Sequence, residues 1–225
     1  MPATPPRNRS KPGMPPLYRA ARGSLGLLLR GLWPTTVTGL ENLPSSGAIL
    51  CANHHAIADQ IFLGVTTPRH IAFWAKAEYF RGNPLTRHVV TGMGAIPVER
   101  AGGRAVLTAF DAAIPILKAG GLVAVFPEGT RSPDGRLYRG RTGAVRLAGQ
   151  AGVPIVPVGI LGTDRIRPTG RHLPRPQPIT LTFGPAIEIR VNSARDARRL
   201  TDRVIAAIQS LTGQEYVPTY APARR

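Results

Sequence analysis

The spacing of apolar residues along the chain predicts both helices and strands. Residues 193–211 carry an apolar position every three or four residues, as in a helix that buries one face: Ala197, Leu200, Val204, Ile208 and Leu211. Ser193, with Asp196 three residues further on, is a suitable N-cap for this helix. Similar patterns predict helices over 17–33, 56–65, 78–90 with a break near Pro84, 104–117 with a last turn disturbed at Pro115, and 144–151.

Short, continuous apolar runs predict buried strands between these helices. They occupy 35–38, 47–52, 71–75, 95–98, 121–126, 153–158 and 179–183. Pro154 and Pro157 indicate that 153–158 is an edge strand or the start of a strand, because proline has no N–H for the ladder. The alternation of strands and helices predicts an α/β fold, a single domain with a central, largely parallel sheet flanked by helices.

The N-terminal residues differ from the rest of the chain. Residues 1–16 form a basic, proline-rich tail that we expect to be disordered. Residues 17–38 are predicted to be an amphipathic helix and a lead-in to the domain, which covers 39–225. The apolar face of this helix is formed by Leu17, Ala21, Leu25, Leu28 and Leu32, with Arg19, Arg22 and Arg30 off it. That face fits either a lipid interface or the domain core.

The same region bears on localisation. No segment has the roughly 20 mostly apolar residues of a membrane-spanning helix, and no secretory signal is recognisable. We therefore expect a cytoplasmic protein that is peripherally associated with the inner face of the membrane.

Composition limits the partners of this domain. Hydrophobic residues make up 43% and charged residues 18%, which is typical of a globular protein, and the formal charge is +17. So much positive charge favours nucleic acid, anionic lipid or a phosphorylated substrate; the alternative is a solvated basic surface. A nucleic-acid-binding domain would interleave basic residues with exposed aromatics, yet aromatics are only 6%. The single cysteine, Cys51, excludes an internal disulfide framework and a cysteine-built zinc site.

Polar residues follow three of the predicted strands directly. They are Asn53-His54, Glu99-Arg100 and Glu128 to Arg131. Ligands of parallel sheets bind outside the carboxyl ends of the strands, so these residues are expected to meet at one edge. Neither the Gly-x-Ser-x-Gly motif of a serine hydrolase nor a His-Glu-x-x-His metal motif is found.

Two neighbouring histidines compete for one carboxylate. Asp59 lies four residues after His55 and five after His54. On a regular helix only the four-residue spacing places two side chains on one face, which favours His55. His54 reaches Asp59 only from a loop. Either pair would form a general base near neutral pH, and spacing alone favours the pair with His55.

Four blocks in order make the chain resemble a known family. They are Asn53-His54 with Asp59, then Gly94 to Arg100, then Phe126-Pro127-Glu128-Gly129-Thr130-Arg131-Ser132, then Val153 to Val158. The chain resembles the glycerolipid acyltransferases with a His-x4-Asp motif, most of all the 1-acyl-sn-glycerol-3-phosphate (lysophosphatidic acid) acyltransferases. The blocks cover roughly residues 40–190.

This resemblance implies a reaction and a set of site residues. A fatty acyl group would pass from acyl-CoA or acyl carrier protein to the hydroxyl of lysophosphatidic acid, with His54 as general base and Asp59 orienting it. Substrate contacts would come from Arg100, Glu128, Gly129, Thr130, Arg131 and Lys76: Arg100 and Arg131 on the phosphate, Glu128 on the glycerol or on the arginines, and Lys76 as a further phosphate contact. Val153 to Val158 would build the sheet and the wall of the acyl site.

The resemblance also implies the partners. They are a lysophospholipid acceptor, the thioester donor and an anionic membrane surface, with no metal, no other cofactor and no nucleic acid. A family acyltransferase that uses another lysolipid or a glycolipid as acceptor is the alternative.

Overall fold

The computed structural model describes residues 13–98, 103–166 and 173–222, without the side chains of Arg30, Lys76 and 103–107. Its strands are β1 (Thr35–Thr38), β2 (Ala48–Ala52), β3 (Ile71–Ala72), β4 (Trp74–Lys76), β5 (Ile96–Val98), β6 (Leu122–Val125), β7 (Leu137–Tyr138), β8 (Ile155–Leu161), β9 (Ile179–Phe183) and β10 (Tyr216–Val217). Its helices are α1 (Pro16–Leu32), α2 (Ala58–Thr66), α3 (Glu78–Arg81), α4 (Pro84–Gly92), α5 (Gly103–Lys118), α6 (Gly143–Ala151) and α7 (Ala194–Thr212).

The main sheet has six strands in the order β1-β9-β8-β2-β6-β3. All neighbours are parallel except β8 and β9, which are antiparallel. The predicted α/β fold with a largely parallel sheet is therefore confirmed. Two small parallel pairs, β4 with β5 and β7 with β10, lie outside the main sheet.

The sheet is buried on both faces. Alternate residues of a strand point to opposite faces, and β2 divides accordingly: Ile49 and Cys51 pack in one apolar cluster, Leu50 and Ala52 in the other. The first cluster contains buried residues of α5, α6 and α7, and the second contains buried residues of α1 and α2. This two-sided burial explains why β2 reads as a continuous apolar run, and it fixes the carboxyl end of β2 near the middle of the sheet edge.

The predicted strand 71–75 is in fact two short strands. The chain leaves the main sheet after Ala72, and from Trp74 it pairs with β5 instead of β6. The predicted break near Pro84 does occur, between α3 and α4, and the Asn83 side chain accepts a hydrogen bond from Leu85 N at 2.8 Å. Helix α5 continues past Pro115 to Lys118, so the last turn is kept.

Of the two alternatives predicted for 153–158, the edge strand was wrong, whereas the strand start fits Pro154, which directly precedes β8. Strand β8 lies inside the sheet, between β9 and β2. The carbonyl of Pro157 accepts a hydrogen bond from Gly184 N at 2.8 Å, just after β9 ends at Phe183. A residue's N–H and C=O point to the same side of a strand, so the missing N–H of Pro157 faces Gly184, just beyond the end of β9.

Helix α1 packs against the domain with a face that only partly matches the predicted one: Leu25 of the predicted face does pack against the core. Tyr18 and Leu29 are buried, whereas Leu28 and Leu32 of the predicted face are 57% and 46% exposed. Within the described residues no helix is both long and apolar enough to span a membrane. Residues 1–12 of the predicted tail lie outside the described part of the chain, and α1 begins at Pro16.

Helix α7 begins as predicted, and its cap can be tested. Ser193 Oγ accepts a hydrogen bond from Asp196 N at 3.0 Å. We expect Ser193→Ala to lower the free energy of unfolding by about 1 kcal/mol, because one helix N–H loses its acceptor. Urea unfolding followed by circular dichroism measures this. Ser210→Ala in the same helix, where the exposed hydroxyl only bonds to Ala206 O, is expected to stay within about 0.5 kcal/mol of the parent. Equal losses for both variants would contradict the capping role.

Candidate active site

The site is built on the loop that joins β2 to α2. Residues 53–57 are not helical, and α2 begins at Ala58, so Asp59 stands in its first turn. Asp59 is fully buried, and its Oδ2 accepts hydrogen bonds from His55 N at 2.6 Å and Ala56 N at 2.8 Å. The same oxygen lies 2.8 Å from His54 Nδ1. We refer to residues 53–59 as the base loop.

This geometry decides between the two histidines. The imidazole of His54 contacts Asp59, whereas His55 contacts it only through the backbone N–H. The His55 ring points elsewhere, with Nε2 2.9 Å from Gln214 Nε2. With the proton on Nδ1 donated to Asp59, His54 carries its free lone pair on Nε2, as a general base requires.

Two further contacts fix the start of the base loop. The Asn53 side chain is buried. Its Nδ2 donates to Ile160 O, and its Oδ1 accepts from Ile160 N, each at 2.8 Å. It thereby ties the end of β2 to β8. The His54 ring stacks on Phe126, with centroids 3.9 Å apart and planes 18° apart. The imidazole is therefore held both at its edge and on its face.

Glu128 joins the base loop to the polar loop after β6. It is 1% exposed; Oε1 accepts from His54 N at 3.1 Å and Oε2 accepts from Tyr138 N at 2.9 Å. Burial raises the pKa of Glu128 to about 7; the two backbone donors, from Tyr138 and His54, oppose this shift, and the nearby Asp59 carboxylate adds to it. This geometry favours a role in holding the loops over direct contact with substrate, so the glycerol contact predicted for Glu128 stays a prediction.

The other residues of the 126–132 loop lie beside the base. Gly129 has φ of 77°, a left-handed conformation that favours glycine. Ser132 N donates to His54 O at 2.7 Å, a second link between the two loops. Thr130 and Arg131 are partly buried. In the part of the chain that the structure describes, no carboxylate forms a salt bridge with Arg131, so its charge is available to an anion.

Arg141 belongs to the same group, although the sequence did not single it out. Its N–H donates to Pro127 O at 2.7 Å, and a side chain on Gly129 would come within 2.8 Å of its Nε. The guanidinium lies over the ring of Tyr220, with its Cζ 5.1 Å from the ring centroid. Its only sequence signal was membership of an Arg- and Gly-rich loop.

Two predicted substrate residues cannot be placed. Arg100 and its neighbour Glu99 lie outside the described residues. Lys76 is the last residue of β4, and its side chain is not described. Of the predicted set, the structure therefore brings together His54, Asp59, Glu128, Gly129, Thr130 and Arg131.

Two adjoining apolar cavities lie between α1, α2 and α4. They measure about 230 and 90 Å³ and share four lining residues: Tyr18, Ile61, Phe73 and Met93. Ile61 belongs to α2, the helix that follows the base loop, and Tyr18 belongs to α1, so the cavities lie between these two helices. Val153 to Val158 are buried in the sheet and line neither cavity. The wall of the acyl site that was predicted at these residues stays a prediction.

Comparison with known proteins identifies the family. A family model described as Acyltransferase matches residues 34–161, more than half of the chain. A chloroplastic 1-acyl-sn-glycerol-3-phosphate acyltransferase of Brassica napus is 36% identical over 140 residues, which are 61% of this chain and 40% of that protein. The chain thus spans less than half the length of this plant relative.

A bacterial relative and a solved structure match over more of their length. The 1-acyl-sn-glycerol-3-phosphate acyltransferase of Bacillus subtilis is 33% identical over 149 residues, 65% of this chain and 72% of that protein. The crystal structure of the 1-acyl-sn-glycerophosphate (LPA) acyltransferase PlsC from Thermotoga maritima superposes with a TM-score of 0.69 at 28% identity, covering 86% of this chain and 78% of that one. From the matched family model and this shared fold, the chain belongs to the acyltransferase family.

Proposed function

We propose that this protein transfers a fatty acyl group from a thioester donor, acyl-CoA or acyl carrier protein, to the free hydroxyl of lysophosphatidic acid, giving phosphatidic acid. The observation that carries this proposal is the His54–Asp59 pair, held at the carboxyl edge of the sheet beside a loop that bears Arg131. The names of the relatives support the acceptor.

The chemistry needs no covalent enzyme intermediate. His54 Nε2 takes the proton from the acceptor hydroxyl while the hydroxyl oxygen attacks the thioester carbonyl carbon. The tetrahedral intermediate then collapses, the C–S bond breaks, and the imidazolium returns the proton to the leaving thiolate. Asp59 keeps the proton on Nδ1 and stabilises the imidazolium, as the carboxylate of a catalytic triad does. General base catalysis contributes about 10²–10⁴-fold in rate.

The acceptor phosphate would bind to the arginines beside the 126–132 loop. Arg131 and Arg141 offer planar guanidinium groups suited to phosphate oxygens, and Gly129 lets the backbone approach closely. Arg100 and Lys76 remain predicted contributors. The donor's acyl chain would lie in the apolar cavities between α1, α2 and α4, because a hydrocarbon chain needs no hydrogen-bond partner.

Exposed side chains near the site offer a surface for lipid. Exposed apolar side chains are present on α1, in the base loop and on α4: Leu27, Leu28, Leu32, Ile57, Leu85 and Val89. Arg19 and Arg22 accompany them on α1. An apolar surface with flanking arginines favours contact with an anionic membrane, from which both lipids could reach the site.

The base is tested by comparing His54→Ala with His55→Ala. With lysophosphatidic acid and saturating acyl-CoA or acyl carrier protein, we expect His54→Ala to lower kcat by about 10²-fold or more, because no other group takes the proton. His55→Ala is expected to retain most of the turnover, since its ring does not contact Asp59. Equal losses, or a loss confined to His55→Ala, would contradict the assignment. An acceptor panel of other lysolipids and glycolipids, run with the parent protein, distinguishes the alternative acceptors.

The phosphate site is tested with Arg131→Ala and Arg141→Ala. A charged hydrogen bond is worth about 1.5–3 kcal/mol, so each change should raise KM for lysophosphatidic acid about tenfold or more. The KM for the donor should stay the same. Arg146→Ala, on the exposed side of α6, serves as the control and should change neither constant. If a monoacylglycerol lacking the phosphate shows the same rise in KM, the arginines do not bind the phosphate.

The buried carboxylate of Glu128 gives a prediction for stability. Its pKa is raised from 4.5 to about 7 in the folded protein, so its contribution to stability is fully present below pH 4.5 and is lost as the pH rises to 7. The parent protein should therefore have a higher free energy of unfolding than Glu128→Gln. This difference should be larger at pH 5 than at pH 8, by about 1–3 kcal/mol. Urea unfolding at both pH values measures this. A gap that widens with pH would show that Glu128 is charged at pH 5.

A further inference from the structure

A third cavity, of about 490 Å³, is lined by His55 of the base loop and by Gly135 of the loop after β6. It is bounded by the end of β8, the start of β9, the end of α7 and the base loop. Its lining includes His55, Leu161, Gly162, Arg165, Gly213 and Gln214. The volume lies within the roughly 300–1,000 Å³ of small-molecule sites, and no step described so far uses it. We call it the β8–β9 cleft.

The wall of the cleft is fixed next to the base. The Gln214 amide N–H group donates to Gly135 O at 2.7 Å and lies 2.9 Å from His55 Nε2. The residue after α7 thereby fastens the base loop to the loop after β6. His55 follows His54 directly, and the Cα atoms of neighbouring residues are about 3.8 Å apart. The His55 side chain in the cleft wall therefore belongs to the residue next to the base, and a molecule that fills the cleft reaches the base loop.

Two other regions of the molecule suit other parts of the reactants. The arginines of the 126–132 side suit a phosphate, and the apolar cavities near α2 suit an acyl chain. The β8–β9 cleft differs from both. Among its described lining residues, Asp164 and Arg165 are the charged pair, with 3.9 Å between Asp164 Oδ2 and Arg165 Nε, so their formal charges balance.

The cleft suits an uncharged chain with amide groups. Gly213 lines it without a side chain, and nothing lies within 4 Å of where its Cβ would be, so an occupant can approach its peptide group. Leu161 and Pro178 add apolar surface. The pantetheine arm of a thioester donor combines amides, a hydroxyl and a pair of methyl groups, and it ends in a phosphate. Arg165, 74% exposed at the rim, is placed for that phosphate.

We propose that the β8–β9 cleft binds the pantetheine arm of the acyl donor, the part common to acyl-CoA and acyl carrier protein. The inference rests on the proposed thioester chemistry, since it names the site of that donor. The arm enters between β8 and β9 and brings its thioester to His54, while the acyl chain continues into the apolar cavities and the acceptor arrives from the side of Arg131.

The first test is to fill the cleft with Leu161→Trp. Leu161 is the last residue of β8 and is 37% exposed, so the larger ring can project into the cleft without touching the base. We expect KM to rise about tenfold for acyl-CoA and acyl carrier protein, and less for the truncated acyl-N-acetylcysteamine, with KM for lysophosphatidic acid unchanged. An unchanged urea midpoint shows that the variant is folded. A rise only in the KM of the acceptor, or no change in either constant, overturns the proposal.

The second test concerns the phosphate of the arm. Arg165→Ala should raise KM several-fold for acyl-phosphopantetheine and leave KM for acyl-pantetheine unchanged, because only the first donor carries the phosphate. Arg203→Ala, an exposed arginine of α7, is the matched control and should alter neither. Equal effects on both donors would remove Arg165 from the site. Comparing acyl-CoA with acyl carrier protein in the parent shows which source delivers the arm.

Binding without turnover separates this proposal from the proposed function. Titration calorimetry of the parent and of Leu161→Trp with free CoA requires no acceptor. Loss of CoA binding in the variant supports the cleft even if lysophosphatidic acid proves not to be acylated. Unaltered CoA binding overturns the cleft even if the acylation of lysophosphatidic acid is observed.

Discussion

The buried carboxylate of Asp59 is the constraint on which the site depends. A charge removed from water must be paired, and one oxygen of Asp59 meets three donors, the backbone N–H groups of His55 and Ala56 and the ring of His54. To deliver all three, the chain cannot enter the helix directly after β2. It makes an irregular turn, α2 starts at Ala58, and the negative charge lies at the positive end of the helix dipole. The orientation of the base is thus a by-product of satisfying a buried anion.

A second buried carboxylate extends this order to the neighbouring loop. Glu128 bonds to the backbone of His54 and of Tyr138, and Ser132 bonds to the carbonyl of His54. The base loop and the arginine-bearing loop therefore share hydrogen bonds and cannot move independently without leaving a buried polar group unpaired. In the proposed reaction this keeps the attacking hydroxyl and the bound phosphate of one acceptor in register. Such positioning is a large part of what a site without a covalent intermediate can supply.

The sequence predicted the fold well because buried strands and amphipathic helices depend on local pattern. It failed where the outcome depends on distant residues. The run 71–75 does not show that the chain changes sheets at Phe73, and the tolerance of Pro157 inside the sheet depends on where β9 ends. In the site, spacing alone favoured His55, whereas the family resemblance favoured His54, the histidine whose ring meets Asp59 in the structure. Arg141 could not be found from its position in the chain, because its approach to the loop is a tertiary contact.

The change of sheet at Phe73 also affects how the molecule behaves towards other copies. Unpaired backbone groups along a sheet edge can recruit strands from neighbouring chains, and long, flat edges promote aggregation. One edge of the main sheet is β3, which has two residues before the chain departs to pair with β5. The other edge is β1, with four. The protein thus combines a site beside apolar cavities with sheet edges that are too short to serve as a template for strands of neighbouring chains.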